Sequence, residues 1–159
     1  MLPLFRKSKK RDNEIADKKK IIRNFEYHPK IILAWAKALE GNKDLLNYLK
    51  DNGFPELYMA TYAIRLKDEA RTWLIDNGFP HIMAMINAAE GNESAQKWLI
   101  DNDFKLLHAM SLAIDGHPEG FFYIRKFSSQ EIFILTSVIK EIKDEIEENH
   151  NDIHKRSLE

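Results

Sequence analysis

Six histidines and no cysteine leave this chain a narrow set of reactive side chains. Only His150 and His154 stand four residues apart, the spacing that brings two imidazoles onto one helix face, with Glu147 and Asp152 close by. Such a cluster can supply part of a tetrahedral zinc site. Asn151, however, occupies the position where an HExxH metalloprotease carries its glutamate base, and the pair sits in a polar tail. Chance proximity is therefore the expectation, with no metal and no cofactor. Lack of cysteine removes thiol nucleophiles, disulfides and Cys-type zinc sites together. Neither a Gly-rich phosphate loop nor a nucleophile elbow is present. The chemistry points to a non-enzymatic chain.

Recognition chemistry is better represented. Residues 6–23 hold Arg6, Lys7, Lys9, Lys10, Arg11, Lys18, Lys19, Lys20 and Arg23 against Asp12, Glu14 and Asp17, whereas the whole chain carries a net charge of −1. One reading is contact with an anionic surface, nucleic-acid phosphate or acidic lipid, with Leu2, Leu4 and Phe5 entering the interface. The other is a solvated terminus followed by a helix whose Ile15, Ile22 and Phe25 pack on the rest, ending where Pro29 disfavours helix at His28. Residues 1–28 form this basic segment. No apolar run approaches the roughly 18 residues of a membrane-spanning helix, and Met1–Phe5 is short for a secretory signal, so a soluble cytoplasmic protein is expected.

The elements that must position any site come from an internal repeat. Asp51-Asn52-Gly53-Phe54 returns as Asp76-Asn77-Gly78-Phe79 and as Asp101-Asn102-Asp103-Phe104, at an interval of 25 residues. Ala38, Ala63, Ala88 and Ala113 keep the same interval, as do Tyr48, Trp73, Trp98 and Tyr123. A period of this size marks stacked supersecondary units. Gly after Asp-Asn suits the left-handed residue past a helix end, and Pro55 and Pro80 suit the first turn of the next helix. Asp103 replaces Gly in the third copy, which predicts a looser turn there. Each unit reads as two short helices, the first carrying Leu57, Ala60 and Ile64 on one face, with Ile82, Met85, Ala89 and Leu107, Met110, Ile114 as its copies.

The array runs over residues 29–129 as about four helical hairpins, a right-handed α-α superhelix, all-α in class. Columns one residue beyond the core positions fall on the flank of each first helix. They read Tyr58, Met83, His108, Phe133 and Tyr62, Asn87, Leu112, Ser137. These side chains either pack under neighbouring helices or line the concave surface on which a solenoid holds another chain. Tyr58, Tyr62, Met83, Asn87, His108, Leu112 and Phe133 are accordingly the candidate partner-binding set. The aromatic column at 48, 73, 98 and 123 reads as a packing seam.

Residues 130–159 change character. Ser128 and Glu131 make a capping-box pattern, and Ile132, Leu135, Ile139, Ile142 and Ile146 follow at heptad spacing beneath a charged outer face. A long helix capping the stack is expected, with homodimerisation through it as the alternative.

The stretch from Ala88 to Ile100, Ala-Ala-Glu-Gly-Asn-Glu-Ser-Ala-Gln-Lys-Trp-Leu-Ile, resembles the paired helices of an ankyrin repeat, and Ala113–Glu119 is similar through its Gly116-His117 turn. The resemblance covers about two-thirds of the chain and implies an α-helical stack that binds protein. The chain departs from that family in its shorter period, its lack of a Thr-Pro-Leu-His signature and its lack of residues for a β-hairpin finger. The expectation is thus a helical-repeat scaffold for a peptide or protein partner, with a module binding nucleic acid or anionic membrane through residues 6–23 as the alternative.

Overall fold

The computed structural model describes residues 25–156, with side chains up to Asp152. Nine helices lie among them: α1 (Pro29–Leu39), α2 (Lys43–Asp51), α3 (Pro55–Ile64), α4 (Asp68–Asp76), α5 (Pro80–Ala89), α6 (Glu93–Asp101), α7 (Lys105–Ile114), α8 (Pro118–Phe127) and α9 (Gln130–Arg156). No strand occurs among the described residues. The fold is an all-α superhelix of four 25-residue hairpins followed by one long helix.

Local chemistry accounts for the punctuation. Pro29, Pro55, Pro80 and Pro118 open their helices where no N–H partner is lost. Asn42 and Asn92 cap α2 and α6 by accepting from Leu45 N at 3.0 Å and Ala95 N at 2.9 Å. At the far ends of α2, α4 and α6, Asn52, Asn77 and Asn102 donate to the carbonyls of Tyr48, Trp73 and Trp98, each at 2.8 Å. The following Phe N–H then closes back on Leu49, Leu74 or Leu99. The third of these turns is not looser: Asp103 adopts φ 60°, and Phe104 N still reaches Leu99 O at 2.9 Å. Asp is among the few residues that enter the left-handed region at modest cost. The start of α9 also differs from expectation, because Ser129 rather than Ser128 accepts from Ile132 N, at 3.2 Å.

Two layers result. The first helices α1, α3, α5 and α7 touch one another in sequence, whereas the second helices α2, α4, α6 and α8 do not meet. Each second helix rests on its own partner and on the first helix of the next unit. Crowding on one side and separation on the other put the first helices on the concave side. Hydrogen bonds join the units there: Trp35 Nε1 donates to Thr61 Oγ1 at 3.0 Å in the core, and Arg65 Nη2 to Leu39 O at 3.0 Å nearer the surface.

Helix α9 does more than cap the last hairpin. It packs against α7 and α8 and also runs back onto α1 and α3, so the concave face is its seat. Its apolar seam is spent on this closure, with Leu135 fully buried and Ile132, Ile139 and Ile142 nearly so. At 27 residues α9 is more than twice as long as the helices it lies on, and at about 1.5 Å per residue it projects past their C-terminal ends.

Candidate functional site

The projection of α9 builds a groove of about 950 Å³. Its floor is the C-terminal ends of α3, α5 and α7, and its wall is the outer half of α9. Ile64, Ala89 and Ile114 on the floor and Ile139 on the wall are one repeat column sampled at 25-residue intervals. The column is deep, with Ile64 6% and Ile114 1% exposed, while Leu66 (52% exposed) and Ile146 form the lips.

The rim is polar and organised by ion pairs. Arg71 on α4 reaches across to Glu90 with both terminal nitrogens, to Asn87 Oδ1 at 3.3 Å, and through Nε to the Ala63 carbonyl at 3.2 Å. Gln96 repeats the last contact one unit later, on the Ala88 carbonyl. On α9, Lys143 donates to Asp115 at 3.1 Å and lies 3.3 Å from Glu147. Burial alone would lower the Lys143 pKa, but the hydrogen bonds it donates to Asp115 and Glu147 outweigh that and hold the ammonium above its ordinary value. Glu147 remains 60% exposed at the mouth.

Apart from Asn87, which Arg71 ties to the rim, the flank columns chosen from sequence lie elsewhere. They turn toward the second helices, away from the concave face. Met83 is 3% exposed and belongs to the core, because α5 is buried on nearly every side. Tyr58 packs edge-on to Tyr62 at 5.2 Å and sits under Lys50 of α2. Phe133 meets Phe121 at 4.9 Å and Arg125 at 4.9 Å, both on α8. Asn87 is engaged by Arg71. His108 and Leu112 alone come together at a cleft, a 310 Å³ hollow shared with Ile100 and Tyr123, where desolvation lowers the His108 pKa. The basic set Arg6, Lys7, Lys9, Lys10, Arg11, Lys18, Lys19 and Lys20 lies outside the described residues. His150 lines the groove, and the His154 side chain falls outside the described ones. No group of three or more His, Asp or Glu among the described residues is placed to hold a metal ion.

Sequence reasoning placed Ile64, Ala89, Ile114 and Ile139 in the core and missed that they share an opening. The available signal was the position of Ile64, Ala89 and Ile114, last in their first helices, where packing runs out. The aromatic column is resolved differently again: Trp73 and Trp98 stack on Phe79 and Phe104 of their own units, at 6.1 and 5.7 Å and within 10° of parallel. No helix among the described residues is long and apolar enough to cross a membrane. No family model, no curated protein and no solved structure matches this chain.

Proposed function

We propose that the chain is a non-enzymatic helical-repeat scaffold that holds a peptide segment of a protein partner, acting in the cytoplasm, and that the groove beside α9 is its binding site. The observation carrying this reading is the lining of one groove by one repeat column. Stacked repeats produce continuous surfaces suited to extended ligands, and α9 displaces that surface from the concave face to the ends of the helices. A deep apolar floor beneath a polar rim is the arrangement that takes an anchor side chain and orients what surrounds it. This reading moves the binding face away from Tyr58, Tyr62 and Phe133, which are half-buried in aromatic contacts of their own.

The test is affinity capture from cell extract with the full chain, the Leu66→Asn variant and a Tyr58→Ala/Phe133→Ala double variant. Asn tolerates the left-handed backbone of residue 66, where φ is 67°, so the change removes the apolar lip without straining the turn. Loss of the captured partner with Leu66→Asn and its retention by the double variant is the expected result. The reverse pattern would return the site to the flank columns.

A further inference from the structure

We infer that the occupant of the groove is a cationic peptide segment carrying a bulky apolar anchor; this deepens the scaffold reading and rests on it. Charge is strongly segregated along the chain. Residues 6–23 hold nine of the 24 Lys and Arg and three of the 25 Asp and Glu, and residues 1–5 and 24 hold none. The remainder, from residue 25 on, therefore carries 15 cations against 22 anions, a net charge of −7.

The groove shares this excess, with Glu90, Asp115 and Glu147 set against Arg71 and Lys143. Both cations near it are already committed, Arg71 to Glu90 and Lys143 to Asp115 and Glu147. The Lys143 side chain is only 15% exposed, so what meets an incoming ligand at the wall is the Glu147 carboxylate, 60% exposed. Asp144 on the same helix is already paired with Lys140 at 2.8 Å, which leaves Glu147 as the exposed carboxylate of the wall. At physiological salt the Glu147 charge is felt over a screening length of about 8 Å. A ligand that buries an apolar side chain over Ile64, Ile114 and Ile146 must therefore tolerate or exploit a negative rim. A lysine or arginine beside a leucine- or phenylalanine-sized anchor does so. An acidic segment would meet repulsion on the same side.

The experiment is fluorescence anisotropy on the full chain with a labelled 14-residue leucine–lysine amphipathic peptide, its leucine–glutamate counterpart and dodecylamine as competitor. Glu147→Lys tests the rim and Leu66→Asn the lip; Glu141→Lys, exposed on the opposite face of α9, is the control. The expected result is binding of the lysine peptide alone, weakened about fivefold or more by Glu147→Lys. Leu66→Asn should weaken it as well, and Glu141→Lys should change it less than about twofold. Equal weakening by Glu141→Lys overturns the inference, because attraction to an acidic surface at large would suffice. If the glutamate peptide binds as tightly and is lost with Leu66→Asn, the scaffold reading stands and the cationic preference falls. If neither peptide binds, or dodecylamine binds where neither does, both fall. A dimer in light scattering that Leu66→Asn dissolves would assign the groove to a second copy and overturn the inference.

Discussion

The Lys143 ammonium and the Asp115 carboxylate meet at 3.1 Å, with side chains 15% and 22% exposed, and this pair fastens α9 to the turn between α7 and α8. It lies at the point where α9 leaves the body of the superhelix and begins to wall the groove. A half-buried pair of this kind costs most when one partner is removed, since the other charge is then left without compensation. Asp115→Ala should lower stability by about 1–3 kcal/mol. A double-mutant cycle with Lys143→Met should return a coupling of about 1 kcal/mol or more in urea unfolding. Coupling near zero would mean that Glu147 alone holds Lys143.

His81 supplies a pH dependence. The imidazole is 1% exposed, neither ring nitrogen has a hydrogen-bond partner, and Phe104 stacks on it at 5.3 Å. Desolvation lowers its pKa from 6.5 to about 4. The unfolded chain therefore takes up a proton near pH 6.5 that the folded chain refuses until about pH 4, and stability falls across that window as pH is lowered. The full loss is roughly 3 kcal/mol. Leu106 occupies the same repeat position one unit later. His81→Leu should raise stability at pH 7 by about 1–2 kcal/mol. Its advantage over the parent should widen as pH falls from 6.5 to 4, measured by denaturant unfolding at each pH, because the carboxylates common to both proteins cancel in the difference. A constant difference would contradict the assignment.

Much of this architecture is legible from spacing, because turns and helix starts are local chemistry. Asn-Gly-Phe marks each closing turn, and the prolines mark each opening. What is not legible is how layers meet. The seam Ile132, Leu135, Ile139 and Ile142 announces an apolar face, but nothing in its periodicity says that α1 and α7 receive it. The 25-residue period gives the angle of Tyr58 or Phe133 around its helix without saying whether that direction meets α2, α8 or solvent. The groove is harder still, since it forms where three helices end together against a fourth, and such coincidence leaves no contiguous motif.

The left-handed turn positions yield a graded prediction. Leu66 stands at φ 67° where the other units have Gly41, Gly91 and Gly116, and Asp103 at φ 60° where they have Gly53 and Gly78. A branched aliphatic side chain pays more than Asp for that conformation, which costs about 1–2 kcal/mol for ordinary residues. Part of the gain on changing to Gly is lost to the greater freedom of the unfolded chain. Leu66→Gly should stabilise by about 0.5–1 kcal/mol and Asp103→Gly by less. The order of the two melting temperatures checks the account.

Gly120 is required for a different reason. A Cβ there would fall within the van der Waals contact of the Ala109 carbonyl oxygen and the Ala113 backbone, neither of which can swing aside. Ala70 and Ala95 fill the same repeat position in earlier units, so α8 approaches its partner more closely than α4 or α6 can. Gly120→Ala should cost about 2 kcal/mol or more, reflecting forced separation of α7 and α8, against well under 1 kcal/mol for an alanine at an exposed site such as Glu119.

The most direct test of the binding groove is photo-crosslinking from defined positions in the full chain. Benzoylphenylalanine placed at Asn149, exposed and on the groove wall, is compared with the same group at Tyr58 and at Glu141. Irradiation in native extract should give a discrete protein adduct from position 149 that Leu66→Asn abolishes, with none from positions 58 or 141. An adduct from position 58 with none from 149 would contradict the account and place the partner on the flank between the helical layers.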